Sequence, residues 1–593
     1  MPSTTLRPAG QTTARSTSQA PQAGRGEKRG PWPAWLGAGV VAAIGANYVA
    51  RMTPAALPDD AYYYLVIARN IAAGAGSTFD RLEPTNGYQP LWMCVLVPLL
   101  RLWGVSPEPD TGVLRVVAAV CFALTAGTVW LTVRIALAAG LHVSVCALLA
   151  AALAVGLTFD HRPGMETQLV QLLGLTCVWV LFVRERRPPW LLSGLLLGAF
   201  LLSRLDNVLL VFTVGLCCLV AFVATASGRR NLRRACVYHA AVLAVAVAIF
   251  GGYLLLNQMS FGDALPISSR LKVRQSAVWP ASLRTWSNHY YGVFYWVAGT
   301  GVAAACAWLL RGLLAGRLAG APPARSLGIV ACGALLAETL HIGYQQLYGL
   351  WGLQFSWHYP MGTLVLAFCG MWAATQARAA AWGLLCLVPL CWVAVKTVLL
   401  APQDTLDPRP TDNWVLRQID AGRWAHENLP AESRAAMSDC GAFAYFFGGR
   451  VLNLDGLTAG PGFHHAIGRG RLAEYLSAAR IGYLGHHVYR NADSNGGMHI
   501  NFAWRFSRDP RMSVNSGRYE FMHFFFYSRL YPHLAWHAPL PAEQQVFRSE
   551  TFDGGTARVH LWRIEHPLVL EPVEVRERPA DQPPPRGPLG RDR

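Results

Sequence analysis

Two adjacent carboxylates, Asp59 and Asp60, open the segment "PDDAYYYLVIARN" directly after the first long apolar stretch of the chain. Behind Pro58 they fall in the first turn of a predicted helix. An aspartate there commonly caps the helix, and its charge is favourable at the positive end of the macrodipole. A cap requires only one carboxylate, so the other is available as a general base or as a cation ligand.

The residues after the carboxylates have the pattern of a helix followed by an elaborate loop. Apolar residues recur at helical spacing until Gly74 and Gly76, which predict the end of the helix. We expect this helix to lie along the outer membrane interface, with the three tyrosines at 62–64 at the level of the headgroups. The loop "GAGSTFDRLEPTNGYQPLW" (74–92) is more elaborate than a connection between two spans requires.

A single arginine, Arg204 in "SRLDN", ends an apolar helix beside Asp206. A charge at that depth is costly, so it indicates either a buried ion pair or a ligand. As an ion pair, Arg204 would hold Asp206 or Glu166 of "HRPGMETQL" and lock helices together. As a ligand contact, Arg204 would bind an anionic group near the outer membrane face, and Glu166 would belong to the same site. The sequence leaves both alternatives open.

Three cations, Arg270, Lys272 and Arg274, lie close together in "PISSRLKVRQ" (266–275). The predicted topology places this loop outside, where basic residues break the positive-inside trend. We therefore expect them to contact an anionic ligand. The alternative is a solvated loop that touches lipid headgroups, which is common for basic clusters beside a membrane.

The composition is that of a polytopic membrane protein with some soluble mass. Of the 593 residues, 53% are hydrophobic and only 14% are charged, and the mean hydropathy is +0.27. Apolar runs long enough to cross a bilayer recur up to residue 400, for example "VLLVFTVGLCCLVAFVATA" (208–226). The net charge of +17 resides largely in short loops between these runs, a pattern that sets topology and argues against a nucleic-acid partner.

The basic loops predict a cytoplasmic N-terminus and an external C-terminal region. Loops such as "RERR" (184–187) and "GRRNLRR" (228–234) are assigned to the cytoplasm. This arrangement requires an odd number of crossings, whereas the chain contains about twelve apolar runs. The conflict lies between residues 89 and 165, where either one run is re-entrant or the stretch 113–137 hides a break. We predict 11 or 13 transmembrane helices.

Composition divides the chain into four parts. They are a disordered cytoplasmic arm at 1–31, a membrane module at 32–400 with its first external loop at 51–88, an external soluble α/β domain at 401–576, and a disordered tail at 577–593. Within the soluble domain, an amphipathic helix is predicted at 413–430 and strands at 449–457 and 557–565.

The soluble domain also contains polar residues that could suggest a site. The pairs His464–His465 and His486–His487 lack obvious further zinc ligands, so we expect them in surface loops. Asp439 and Asp455 stand beside glycines and are predicted to lie in turns. We expect this domain to cap the cavity and to recognise an acceptor rather than to perform chemistry.

The run "DDAYYYLVIARNIAAGAGSTFDRLEPTNGYQPLW" resembles the first external loop of the GT-C superfamily, the integral-membrane glycosyltransferases that use polyprenyl-phosphate-linked sugars. The segments "GMET", "SRLDN", "FGDALPISSRLK" and "DCGAFAYFFGGRVLNLDGL" agree with this resemblance in their order. Relatives include protein O-mannosyltransferases, aminoarabinose transferases and arabinofuranosyltransferases. The resemblance covers roughly residues 33–485 and implies a mainly α, GT-C-type bundle.

The resemblance implies an inverting transfer to a cell-envelope acceptor, which is a glycan, lipid or protein. A first-loop aspartate would be the general base. We assign Asp59 to this role and Asp60 to a cap, a supporting contact or a metal ligand, although the order could be reversed. A divalent cation, Mg or Mn, is compatible with the superfamily and would bind Asp59 and Asp60. The protein would be a multi-pass protein of a bacterial inner membrane.

The resemblance also implies contacts to the substrate. Tyr63, Asn86 and Tyr88 of the first external loop are predicted to bind substrate. At "FSWHYP" (355–360) relatives carry an arginine before Tyr-Pro, whereas this chain has His358, which when protonated could replace it.

Two other functions are possible for such a chain. It could be a non-catalytic lipid-binding or transport protein, or a scaffold that interacts through its soluble domain. Transporters place polar groups at mid-bilayer on broken helices, whereas here they gather at the outer rim, which favours the enzyme.

Overall fold

The computed structural model describes residues 30–104, 109–160, 163–184, 188–224, 226–271, 322–348, 360–376, 413–489, 497–503, 512–514, 523–524, 535–551, 557–566, 571–572 and 575–577. Several predictions concern residues outside these ranges. They are most of the N-terminal arm, the C-terminal tail, Lys272, Arg274, His358 and the side chain of Arg270.

The described part of the membrane module is helical. Its helices are α1 (Trp32–Arg51), α2 (Asp59–Ala72), α3 (Pro90–Trp103), α4 (Thr111–Ala138), α5 (Val143–Asp160), α6 (Thr167–Val178), α7 (Trp190–Ser203), α8 (Asn207–Ala224), α9 (Ala226–Phe261), α10 (Ile267–Leu271), α11 (Pro322–Tyr348) and α12 (Gly362–Gln376). Among the described helices, α1, α4 and the part of α9 from Cys236 to Phe261 are long and apolar enough to cross a membrane, and shorter apolar helices accompany them. The predicted mainly helical membrane architecture is confirmed, and the number of spans stays a prediction.

Small residues bring α1 close to its neighbours. A Cβ atom added to Gly37 would lie 2.8 Å from Val129 of α4 and 2.9 Å from Ala150 of α5. One added to Gly45 would lie 2.6 Å from the ring of Phe122. Glycine therefore permits the close backbone approach on which helix packing in lipid depends.

Helix α3 lies in the part of the chain, residues 89–165, where the predicted topology is in conflict. It has 14 residues and so extends about 21 Å, less than the roughly 30 Å hydrocarbon core. At its start the Trp92 indole donates to the Gly164 carbonyl at 3.0 Å, and beyond its end the Asp110 carbonyl accepts from Tyr445 of the C-terminal domain at 2.9 Å.

Helix α4 is continuous from Thr111 to Ala138, so the stretch 113–137 contains no break. The break considered at 113–137 is therefore absent, whereas a re-entrant run stays a prediction.

The C-terminal domain combines helices with a mixed sheet. Its described elements are α13 (Trp414–Asn428), β1 (Arg434–Met437), α14 (Gly441–Phe447), β2 (Arg450–Asn453), α15 (Pro461–Gly468), α16 (Leu472–Ala478), β3 (Tyr483–Tyr489), β4 (Gly497–Ala503), β5 (Met512–Val514), β6 (His523–Phe524), β7 (Ala535–Pro541), β8 (Gln545–Arg548), β9 (Ala557–Arg563), β10 (Glu571–Pro572) and β11 (Val575–Glu577).

The largest sheet has the order β2-β1-β3-β9-β8, with β1 parallel to β2 and β3 and with β9 antiparallel to β3. Helices α14, α15 and α16 connect the parallel strands, as parallel pairing requires. The predicted helix at 413–430 is confirmed as α13, and the predicted strands at 449–457 and 557–565 are confirmed as β2 and β9.

Candidate active site

Asp59 connects the first external loop to the C-terminal domain. Its side chain is 3% exposed, and its two carboxylate oxygens accept backbone N–H groups from Gly441 at 3.2 Å and Ala442 at 2.7 Å, at the start of α14. A carboxylate at a helix N-terminus satisfies amides that have no partner within the helix. Burial raises the pKa of Asp59 to about 8, more than the two amide hydrogen bonds lower it. At neutral pH, Asp59 is therefore largely protonated and covered.

Neither aspartate caps α2, contrary to the expected role of one of them. The residue at the N-cap position is Pro58, and no side chain there accepts a hydrogen bond from the helix. Asp59 does not cap α2 because its carboxylate is directed to α14 of the C-terminal domain. Asp60 is half-buried, so it is the more accessible of the two carboxylates.

The tyrosines of α2 do not lie among lipid headgroups, and that prediction is wrong. Tyr62 and Tyr63 are 0% and 6% exposed because the C-terminal domain covers α2. The Tyr62 ring packs against Tyr445 and Phe446 at centroid distances of 5.4 and 6.0 Å. The prediction considered only contacts of α2 with the bilayer and not its contacts with the C-terminal domain.

Tyr63 lies at the centre of a buried polar network that joins the two domains. Its hydroxyl donates to Asp455 at 3.1 Å and accepts from the Cys440 amide at 2.9 Å and from Asn453 at 3.1 Å. Asp455 also accepts from the backbone N–H of Asp439 at 2.7 Å, and burial raises the pKa of Asp455 to about 6. The turns predicted at Asp439 and Asp455 are present, and Asp455 additionally binds Tyr63 of α2.

A second carboxylate of the loop, Glu83, binds the C-terminal domain in the same manner. It accepts from the backbone N–H of Gly462 in the first turn of α15 at 2.6 Å and from the Tyr475 hydroxyl at 3.1 Å. Any Cβ atom at Gly460 or Gly462 would collide with Glu83, so these positions require glycine. Asp59 and Glu83 together form what we call the loop clamp.

The sequence did not identify Glu83 of the loop clamp, nor the nearby contact of Arg69 with Tyr445. Neither was predicted, because the partners in the C-terminal domain lie almost 400 positions away in the chain. Arg69 donates to the Tyr445 carbonyl at 3.2 Å and lies over its ring at 5.1 Å. The spacing "GPG" at 460–462 is the one local signal, since glycines often mark a close backbone approach.

Tyr64 links α2 to the charged residues of the bundle. Its hydroxyl donates to Glu166 Oε2 at 3.0 Å, and Glu166 Oε1 accepts from Arg204 at 3.1 Å. Arg204 also donates through Nε to both oxygens of Asp206 at 3.0 Å. Both ion pairs weighed from the sequence are present at once, so two carboxylates neutralise the guanidinium.

Asn86 and Tyr88 organise the first external loop. The Asn86 amide donates to the Leu265 carbonyl at 3.4 Å and accepts from the Ile267 amide at 3.1 Å, which fixes the segment after α9 against the loop. Tyr88 and Ser77 share a hydrogen bond at 2.7 Å. The substrate contacts predicted for Tyr63, Asn86 and Tyr88 stay predictions.

The histidine pairs do not lie in surface loops. His464 belongs to α15 and is 8% exposed, while His486 and His487 belong to β3 and are 2% and 4% exposed; only His465 of these four is exposed. His464 lies on the buried face of α15, and His486 and His487 follow each other in β3, which lies between β1 and β9 and is covered on both faces.

No group of three or more metal-ligating side chains occurs within the described ranges. Asp59 does not fit the metal role predicted for it together with Asp60, since both its oxygens accept amide hydrogens and its side chain is buried. We therefore derive no step through a cation.

Two family models match the chain. Residues 107–251 match the model described as dolichyl-phosphate-mannose-protein mannosyltransferase. Residues 412–529, within the C-terminal domain, match a domain of unknown function (DUF8728). No curated protein matches the chain by sequence.

Several solved structures are similar to the chain. The archaeal oligosaccharyltransferase AglB from Archaeoglobus fulgidus, in complex with an inhibitory peptide and a dolichol-phosphate, is 12% identical and has a TM-score of 0.47, over 76% of this chain and 69% of that chain. The apo form of the Archaeoglobus fulgidus oligosaccharyltransferase is 11% identical, with a TM-score of 0.48 over the same shares. ArnT from Cupriavidus metallidurans bound to undecaprenyl phosphate is 13% identical, with a TM-score of 0.38 over 77% of this chain and 92% of that chain.

The matched mannosyltransferase model begins just before α4 and ends within α9, so it includes Glu166, Arg204 and Asp206. The resemblance of this chain to the GT-C superfamily of membrane glycosyltransferases, inferred from its motifs, is confirmed by the family model that matches residues 107–251.

Proposed function

We propose that the protein transfers a sugar, with inversion, from a polyprenyl-phosphate-linked donor to an acceptor hydroxyl of the cell envelope, on the outer face of a bacterial inner membrane. The matched family supports this donor class, because its description names a dolichyl-phosphate sugar. The apolar helices of the module support a reaction at the membrane.

The general base in this proposal is Asp60, which reverses the roles first assigned to the two aspartates. The observation that carries this choice is the engagement of Asp59 by the amides of α14, because both oxygens of this buried carboxyl already accept hydrogen bonds and are covered from a substrate. Asp60 is adjacent in sequence but half-buried. A carboxylate can accept the hydroxyl proton as the oxygen attacks.

The position of Asp60 on α2 supports a site shared with the charged residues of the bundle. Asp60 and Tyr64 are four residues apart and so lie on one face of the helix. Tyr64 binds Glu166, and Glu166 binds Arg204. Asp60 thus lies one helical turn from Tyr64, and hydrogen bonds lead from Tyr64 through Glu166 to the guanidinium of Arg204.

In the proposed reaction, the acceptor oxygen forms a bond to the anomeric carbon while the bond from that carbon to the phosphate oxygen breaks. The electron pair leaves with the lipid phosphate, and the hydroxyl proton passes to Asp60. Arg204 already neutralises two carboxylates. We therefore assign leaving-group stabilisation to Arg270, Lys272, Arg274 and His358, and a positioning role to Arg204.

The test combines purified protein with a panel of polyprenyl-phosphate sugars and envelope extracts. Asp60→Asn should lower the transfer rate by about 10²–10⁴, the usual contribution of a general base. Glu474→Gln on α16 removes an exposed carboxylate that pairs with Arg471, three residues before it, and should leave the rate unchanged. Unchanged transfer by Asp60→Asn would overturn the proposal, and lipid binding by the wild type without any transfer would favour the non-catalytic alternative.

A further inference from the structure

A cavity of about 450 Å³ opens where three separate segments meet on the outer side of the membrane module. The segments are the first external loop at 84–86, the end of α9 with the residues that follow it at 261–267, and residues 459–469 around α15. Its volume falls within the roughly 300–1,000 Å³ of small-molecule sites. Asp455, which belongs to the polar network around Tyr63, lies only a few residues before the third segment in the chain.

The walls of the cavity are held in place from both domains. Asn86 fixes the second segment through its hydrogen bonds to Leu265 and Ile267. Glu83 fixes α15 through the amide of Gly462. The cavity therefore depends on the docked arrangement of the loop and the C-terminal domain.

The cavity lining combines polar with apolar side chains, and each of the three segments contributes both kinds. Asn86, Asp263, His465 and Arg469 supply donors and acceptors, and Phe261, Ile267, Pro84 and Pro461 supply apolar surface. A carboxylate and a guanidinium can each bind two neighbouring hydroxyls, and an amide and an imidazole add further donors and acceptors. A ring that carries hydroxyls at its rim and C–H groups on its faces complements this combination.

The balance of charge disfavours a strongly ionic ligand. One guanidinium, that of Arg469, and one carboxylate, that of Asp263, line the cavity, so their formal charges cancel. An anionic headgroup would share the cavity with the like charge of Asp263, which is unfavourable.

We propose that this cavity binds a neutral sugar residue of the acceptor, so that the acceptor is a glycan rather than a protein or a lipid. This rests on the proposed transferase function, because it names the acceptor of the same site. His465 and Arg469 are exposed at its rim, on the domain of unknown function, and determine its specificity.

The test measures binding of soluble probes to the full-length protein in detergent by saturation-transfer NMR and calorimetry. The probes are tetrasaccharides of arabinose, mannose, galactose and glucose, and a serine-containing tetrapeptide. At least one tetrasaccharide should bind, and Arg469→Ala and His465→Ala should each weaken it about tenfold, the effect expected when a hydrogen bond to a charged or polar group is lost. The matched control is Arg471→Ala, an exposed arginine two residues away that does not line the cavity.

Absence of binding by every tetrasaccharide, binding of the tetrapeptide instead, or equal effects of Arg469→Ala and Arg471→Ala would each overturn the proposal. Transfer assays separate this failure from failure of the proposed function. If transfer depends on Asp60 while Arg469→Ala leaves the KM for the acceptor unchanged, the enzyme assignment stands and the acceptor cavity does not.

Discussion

The variants Asp59→Asn and Asp60→Asn should have different effects: the first should weaken the anchoring of α14, and the second should lower the transfer rate. In Asp59→Asn, one side-chain oxygen remains as an acceptor, while the new NH₂ group faces the second amide of α14. One of the two N–H groups, of Gly441 or Ala442, then loses its partner in a buried place. Such a loss costs roughly 1–3 kcal/mol, or roughly 5- to 150-fold in the local opening equilibrium.

Hydrogen–deuterium exchange of the peptide that covers residues 440–447 measures this opening directly. Asp59→Asn should exchange faster by that factor, whereas Asp60→Asn should exchange like the wild type, because Asp60 accepts neither amide. Transfer should show the opposite order, with a loss of about 10²–10⁴ for Asp60→Asn and a smaller loss for Asp59→Asn.

The reasoning would be refuted by one clear result. If Asp59→Asn abolishes transfer while the exchange of α14 stays at the wild-type rate, Asp59 acts chemically and not as an anchor. The conservative variant Asp59→Glu gives a further check, since it keeps a carboxyl group but changes its reach toward α14.

Three further changes follow from the same contacts. The pKa values of Asp455 and Asp59 are raised to about 6 and about 8, so their contribution to stability is complete below the unfolded-state pKa of about 3.9 and is lost as pH rises to the folded-state values. The thermal midpoint of the wild type should therefore fall from about pH 4 to about pH 8 and then level off, and that of Asp59→Asn should fall little between about pH 6 and pH 8. Gly462→Ala places a Cβ against Glu83 and should lower the midpoint by several degrees, whereas Gly482→Ala, whose Cβ would have its nearest neighbour at 4.0 Å, should not. Arg204→Ala leaves the buried Glu166 uncompensated and should destabilise by about 3–5 kcal/mol, and adding Glu166→Gln should recover part of that loss in thermal unfolding; no recovery would mean that the pair does not carry the effect.

Local sequence signals predicted the elements well but not the contacts between distant ones. The period of apolar residues and the two glycines located α2, and Asn413 marked the start of α13, because caps and periodicity act within a few residues. The burial of the tyrosines at 62–64 could not be predicted in this way, since it depends on a domain that follows almost 400 residues later. The partners of Asp59 could not be predicted for the same reason, since they are equally distant in the sequence.

The proposed exchange of roles between Asp59 and Asp60 depends on a property that the sequence does not contain. Sequence identifies a residue type and a position on a helix, whereas accessibility is a property of the packed molecule. Here, α14 supplies two amides, and the first turn of α2 presents Asp59 to them. In the proposal, the C-terminal domain thereby covers one carboxylate and leaves Asp60 as the base. The membrane module and this domain would then act as one unit, and removal of the domain should expose both aspartates and leave α2 without its anchor.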